Sequence, residues 1–200
     1  VGRTIQRNRR NARRTRTTVL IITNGARTEK EYLEVIKKKV PRDAGLAITL
    51  RPEDGKEPET ILKDLTGGRG GLTDFDEVWI VVDHDGTDRK RFLQDCASLK
   101  SSRVIGVVSV PCFEVWLIAH YERVRRYQDQ TDAQRHYRQL TGQDGRDAKG
   151  LPKDFPFDRV DEAAQRCFVV GDSAPQINAQ GSSPSTTMPH LLRRLGLLNR

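Results

Sequence analysis

Two carboxylates one residue apart, Asp83 and Asp85 in Asp83-His84-Asp85-Gly86, follow an apolar run ending at Val82. Paired hard oxygen donors at the end of a buried strand suit Mg²⁺ or Mn²⁺, above all when a phosphate completes the shell. Side chains repeat every two residues along an extended chain, so both carboxylates are expected to point the same way. Gly86 lets the chain turn away without crowding an ion. The same four residues are also good turn chemistry, in which the aspartates would only cap a bend. A third acid, Glu114, sits in Pro111-Cys112-Phe113-Glu114-Val115-Trp116-Leu117-Ile118-Ala119-His120. Its apolar neighbours call for burial, and a buried carboxylate needs a partner charge, hydrogen bonds, a metal or a helix N-terminus. His120 closes that stretch, either as a base or ligand or as a hydrogen-bonded core residue.

These residues need a scaffold, and the hydrophobic pattern supplies one. Short apolar runs at Thr18–Thr23, Leu46–Leu50, Val78–Val82 and Val104–Val110 read as strands. Between them lie helical patterns from Thr28 to Val40, around Glu59–Leu65 and near Asp88–Lys100. Thr28 is expected to cap the first helix, with Glu31 completing a capping box. Pro111 should precede an apolar helix running from Cys112 to about Tyr127. Further helices are expected near 132–140, near 158–170 and after a capping Ser185. Alternating strands and helices, with strands apolar on both faces, imply an α/β fold: a mostly parallel sheet flanked by helices, with a helical C-terminal part. In such sheets ligands sit beyond the carboxyl ends of the strands, where Asp83 and Asp85 are placed.

The composition, 36% hydrophobic and 31% charged, is that of a soluble globular protein, and no apolar run is long enough to cross a membrane. The net charge of +8 is concentrated: residues 1–17 carry seven arginines and no acid, leaving +1 for residues 18–200. We therefore expect a basic tail over 1–17 and a single domain over 18–200. Arg9, Arg10, Arg13 and Arg14 in that tail are candidates for polyanion binding through counterion release, set against the plainer reading of a solvated terminus. Three scattered cysteines without a C-x-x-C argue against a disulfide framework or a structural zinc, and a reducing cytoplasm is the expected location.

Taken together, Asn24-Gly25-Ala26-Arg27-Thr28-Glu29-Lys30-Glu31-Tyr32 after the first strand, Asp83-His84-Asp85, and the Pro111–His120 stretch resemble the RloB-like family, as does Ser183-Pro184-Ser185-Thr186-Thr187 before the last leucine-rich helix. The likeness runs from about residue 18 to the end. It implies a prokaryotic protein of restriction and phage-defence loci, often beside an ATPase partner, with a Toprim-like core. Toprim enzymes pair a glutamate after the first strand with a D-x-D after a later one to hold divalent metal for phosphoryl transfer. Here Asp83 and Asp85 match the D-x-D, whereas Asn24 stands where the glutamate would be. An amide can bind a metal through its oxygen but cannot act as a general base. Glu29 or Glu114 would then supply the missing carboxylate. Arg27 and Lys30, at the start of the following helix, are candidates for phosphate contact together with Asn24 and His120.

The resulting expectation is a Mg²⁺- or Mn²⁺-dependent nuclease acting in phage defence, with RNA, tRNA in particular, favoured over DNA. Its catalytic and metal-binding residues would be Glu29, Asp83, Asp85 and Glu114. The alternatives are a non-catalytic nucleic-acid-binding or regulatory subunit that docks on an ATPase, favoured by Asn24, and a module that binds a metal-nucleotide. Oligomeric state, a homo-oligomer included, stays open.

Overall fold

A computed structural model describes residues 16–25, 27–67, 71–100, 103–143 and 150–198. Its frame is a five-stranded sheet of β1 (Thr17–Thr23), β2 (Leu46–Pro52), β3 (Glu77–Asp83), β4 (Arg103–Val110) and β5 (Ser185–Thr186). The spatial order is β2-β1-β3-β4-β5. The first four strands are parallel and β5 runs antiparallel to β4.

The strands are apolar on successive residues because both faces of the sheet are covered. On one face Val19, Ile21, Trp79, Val81, Ile105 and Val107 form a core with helices α1 (Thr28–Lys39), α4 (Glu114–Tyr121), α5 (Gln130–Thr141), α6 (Val160–Arg166) and α7 (Met188–Arg194). On the other, Leu20, Ile22, Val78, Ile80 and Val82 meet α2 (Pro58–Thr66) and α3 (Lys90–Ser98). Each fully buried Leu, Ile, Val or Phe contributes about 1.5–3 kcal/mol of transfer free energy, so the continuous apolar runs of β1 and β3, with alternate residues facing opposite layers, drive the layering directly. Cys96, Cys112 and Cys167 are buried free thiols within these layers. Among the described residues, no helix is long and apolar enough to cross a membrane.

The expected α/β architecture is present, with several local corrections. Arg27, not Thr28, is the N-cap of α1, and no side chain caps it. The expected capping box fails because Glu31 is used elsewhere: it pairs with Arg27 at 3.1 Å and accepts the Leu151 amide at 3.0 Å. The apolar helix after Pro111 starts at Glu114 and stops at Tyr121, well short of Tyr127, because the chain leaves to bring Val124 against the Arg166 carbonyl. Ser185 does not cap the last helix. It pairs with Val110 in β5, and Thr187 becomes the N-cap. The arginine-rich residues 1–15, with Arg9, Arg10, Arg13 and Arg14, lie outside the described residues.

Strand order decides where a ligand can enter. The chain passes from β1 to β2 on one side, then crosses back to β3 on the other side of β1. Connections leave β1 and β3 in opposite directions, and a crevice opens between their carboxyl ends. The register places Thr23 opposite Val81, so β3 extends two residues further and carries Asp83 past the end of β1.

Candidate functional site

The crevice is built from three loops laced together by backbone hydrogen bonds. After β1, the Asn24 amide donates to the Val81 carbonyl at 3.3 Å, and the Asn24 carbonyl accepts from Gly55 at 3.2 Å. After β3, the His84 and Asp85 amides donate to the carbonyls of Ser109 and Pro111 at 2.9 and 3.1 Å. These two bonds bring the D-H-D-G loop against the entry to α4, where Glu114 is the first helical residue.

The D-H-D-G stretch is indeed a tight turn. Asp85 and Gly86 both have positive φ, 48° and 75°, and the Thr87 amide closes the turn on the His84 carbonyl at 2.8 Å. Two positive φ values in succession define the turn class that glycine, asparagine and aspartate tolerate. The expectation that strand alternation aligns the two aspartates is therefore corrected: Asp83 is the last strand residue, while Asp85 reaches the site from the turn. Asp83 is half-buried and Asp85 is exposed. The two readings of the motif are compatible, since the turn is what carries the second carboxylate.

Glu29 arrives from the first turn of α1, buried at 9% exposure. A Cβ added at Gly25 would fall on its carboxylate. Gly25 has no positive φ to explain it; the close approach of Glu29 does. The four acids sense one another. Burial raises the Asp83 carboxyl well above the usual carboxylate range, and Glu29, Glu114 and Asp85 raise it further, against a hydrogen bond from the Phe113 amide. Glu29 is pushed up to about 7 by burial, opposed by its own backbone amide and reinforced by Glu114, Asp85 and Asp54. Glu114 is raised by burial and by Asp85, with hydrogen bonds from the Cys112 thiol and its own amide pulling the other way. Asp85 is raised by burial, with Arg89 and His84 as counterweights and Glu57 adding to the repulsion.

Arg89 is the cation that a sequence reading passes over. It looks like one more solvated charge ahead of a helix, yet it is 4% exposed. Its Nε donates to the Asp83 carbonyl at 3.1 Å, its Nη1 pairs with Glu57 at 3.3 Å, and its amide donates to Gln180 at 2.7 Å. Also unforeseen is a cleft of about 330 Å³ beside Asp85, with His84, Val110, Pro111 and Gln130 among its walls.

The remaining expected residues divide. Asn24 is half-buried at the crevice. Arg27 and Lys30 are exposed at the start of α1, Arg27 already paired with Glu31. His120 is removed from substrate contact. It is fully buried, with Nε2 bonded to the Tyr32 hydroxyl at 3.2 Å and Nδ1 to the Pro156 carbonyl at 3.0 Å, amid Trp116 and Phe155.

Chemically, the crevice offers carboxylate oxygens and more negative charge than Arg89 offsets. That donor set fits a hard divalent cation. As the side chains lie, no three His, Cys, Asp or Glu residues among those described are grouped closely enough to hold one.

No curated protein and no solved structure gives a significant match. The model of a family described as RloB-like protein, however, matches residues 19–195. That span includes every element contributing to the crevice, and on it the chain belongs to the RloB-like family.

Proposed function

We propose that the chain is a metal-dependent nuclease in which Asp83, Asp85, Glu114 and Glu29 hold Mg²⁺ or Mn²⁺ at the carboxyl edge of a Toprim-like sheet. The observation that carries this reading is the gathering of four carboxylates, each with a raised pKa, at the switch point between β1 and β3. An acidic rim repels a phosphate backbone. It can meet nucleic acid only with a cation between them. When bound, such an ion supplies charge neutralisation at the scissile phosphate and a more acidic attacking water.

The chain's own residues have separable tasks. Asp83, fixed by the strand and by the Phe113 amide, is the rigid donor. Asp85, on an exposed turn, is the donor that meets substrate first. Glu29, with a pKa near neutrality, can take up a proton near pH 7. Arg89 holds the Asp83 carbonyl and so orients the turn. The cleft beside Asp85 gives a strand of nucleic acid a place to lie. RNA, and tRNA within it, is the favoured substrate by analogy with effectors of phage defence, the setting we propose for the chain, with an ATPase as its proposed partner.

The test is incubation of end-labelled tRNA, single-stranded RNA and duplex DNA with the protein, with Mn²⁺, Mg²⁺ or chelator, beside Asp83→Asn and Asp85→Asn. Metal-dependent cutting, reduced by on the order of 100-fold or more in each variant, is the expected result. Equal residual cutting by wild type and both variants would sink the assignment.

A second reading, a non-catalytic nucleic-acid-binding or regulatory subunit, draws on two observations: Asn24 in place of a carboxylate, and the lack of a ready-formed three-ligand group among the described residues. It predicts binding without cutting under every metal condition.

A further inference from the structure

At the opposite edge of the sheet from the carboxylates, a groove of about 410 Å³ opens between the end of α1, the turn at Arg42–Ala44 and the outer edge of β2. Among the described residues three cations line it, Arg16, Lys37 and Arg42, and no acid does. All three are exposed, and none has an ion-pair partner among the described residues. Between them lies an apolar floor of Val40, Pro41 and Ile48. Lys37 has an ordinary explanation, since α1 ends in Lys37, Lys38 and Lys39 and cations there offset the helix dipole. That does not account for Arg16, which enters from the start of β1, or Arg42, which enters from a separate turn.

We infer that this groove is the docking site for the sugar-phosphate backbone of a nucleic acid, remote from the carboxylates. Phosphates would meet the three cations, and sugar and base faces would lie over the apolar floor. β2 is the edge strand of the sheet, and pairing with β2 of a second copy is the obvious competitor. Such pairing would bring two sets of cations together, so charge disfavours it, whereas a polyanion is attracted. The separation is also meaningful. Seven-residue strands place the two edges roughly 20 Å apart, so a strand gripped here reaches the crevice only by running along the molecule. The carboxylate edge repels the backbone and the groove attracts it, which sets the polarity of approach. The inference rests on nucleic acid being the substrate class, and is independent of whether the chain cuts it.

The test is fluorescence anisotropy of a labelled single-stranded RNA with the full chain, in chelator, across a salt series. The triple variant Arg16→Gln/Lys37→Gln/Arg42→Gln is compared with an equal-charge control, Lys63→Gln/Arg91→Gln/Arg159→Gln, after matching melting temperatures. The groove variant is expected to bind about tenfold more weakly or worse, with a salt slope shallower by about 2, three contacts at ~0.7 each. The control should keep the wild-type slope. Equal losses in both variants, or none in either, overturn the assignment. Loss of binding to poly-glutamate with RNA binding intact overturns it in favour of an acidic protein partner. Failure of the nuclease reading shows separately: a chain that never cuts but loses RNA in the groove variant upholds the groove alone.

Discussion

At the scale of single residues, the crevice is held open by what Gly25 lacks. Its missing Cβ is the space the Glu29 carboxylate occupies. Gly25→Ala needs no unusual backbone angle, so fold stability should change by less than about 1 kcal/mol. Glu29 must move, and a displaced group near reacting atoms can cost on the order of 100-fold in rate. Comparing cutting rates and melting temperatures of Gly25→Ala and wild type checks this; a full-rate Gly25→Ala would take Glu29 out of the proposed machinery. His120 gives a second prediction, in pH. Burial lowers its pKa from 6.5 to about 4, against the Pro156 carbonyl and Asp158. Between those values the unfolded chain binds the extra proton and the native chain does not. Stability from this residue is present above about pH 6.5 and is lost as pH falls toward 4. His120→Gln should therefore lose about 2 kcal/mol less than wild type between pH 7 and pH 5, read from urea midpoints at the two pH values. Parallel pH profiles would show that His120 does not titrate in this window.

At the scale of elements, what could be read from the sequence is what local pattern determines. β1, β3 and β4 stand out because residues on both faces are buried, and the structure moves their ends by only a residue. The shortfalls lie where a distant segment decides. Glu31 abandons the capping box for Leu151, far along the chain. β5 has two residues and exists only because Ser109 and Val110 pair with Thr186 and Ser185. The site follows the same division. Asp83 and Glu114 were legible as acids in apolar surroundings, whereas the approach of Asp85 depends on a turn locked to Ser109 and Pro111, and the importance of Arg89 depends on burial under Glu57 and Gln180. Gly106 illustrates the demand that packing makes on an element. A Cβ there would stand 2.5 Å from Leu93 and 3.0 Å from Phe92, both in α3. Gly106→Ala should destabilise by about 1–3 kcal/mol through overpacking, seen as a lower urea midpoint with unchanged m-value. A neutral substitution would mean that α3 shifts on the sheet at little cost.

For the whole molecule, charge is arranged by edge. Carboxylates gather where β1 and β3 end, and cations with no ion-pair partner among the described residues gather near where β1 and β2 begin. Arg89 ties the acidic edge together across β3, α2, α3 and the segment at Gln180. Arg89→Ala removes the guanidinium bonds to the Asp83 carbonyl and Glu57 and the main counter-charge to Asp85, and keeps the main-chain bond to Gln180. Because Glu57 and Glu59 are largely exposed, the loss should be near that of charged hydrogen bonds, about 2–3 kcal/mol. Mn²⁺ should also raise the melting temperature of the wild-type chain and leave that of an Asp83→Asn/Asp85→Asn variant unmoved. A thermal shift of equal size in both would place the ion elsewhere.

The antiparallel β5 has a consequence for how the molecule comes into being. Thr187 donates its hydroxyl and its amide to β4 at Val108, and Met188, Leu191, Leu192 and Leu195 are fully buried in the core under the sheet. All follow Asp83, Asp85 and Glu114 in the chain by a long stretch. A nascent polypeptide emerging from the ribosome exposes Asp83, Asp85 and Glu114 long before the segment that finishes the sheet beside them has been made. Until about residue 195 is free of the exit tunnel, the sheet beside the acidic edge is incomplete, and a chain that cuts RNA as proposed is expected to be inactive on the RNA-rich machine that is synthesising it.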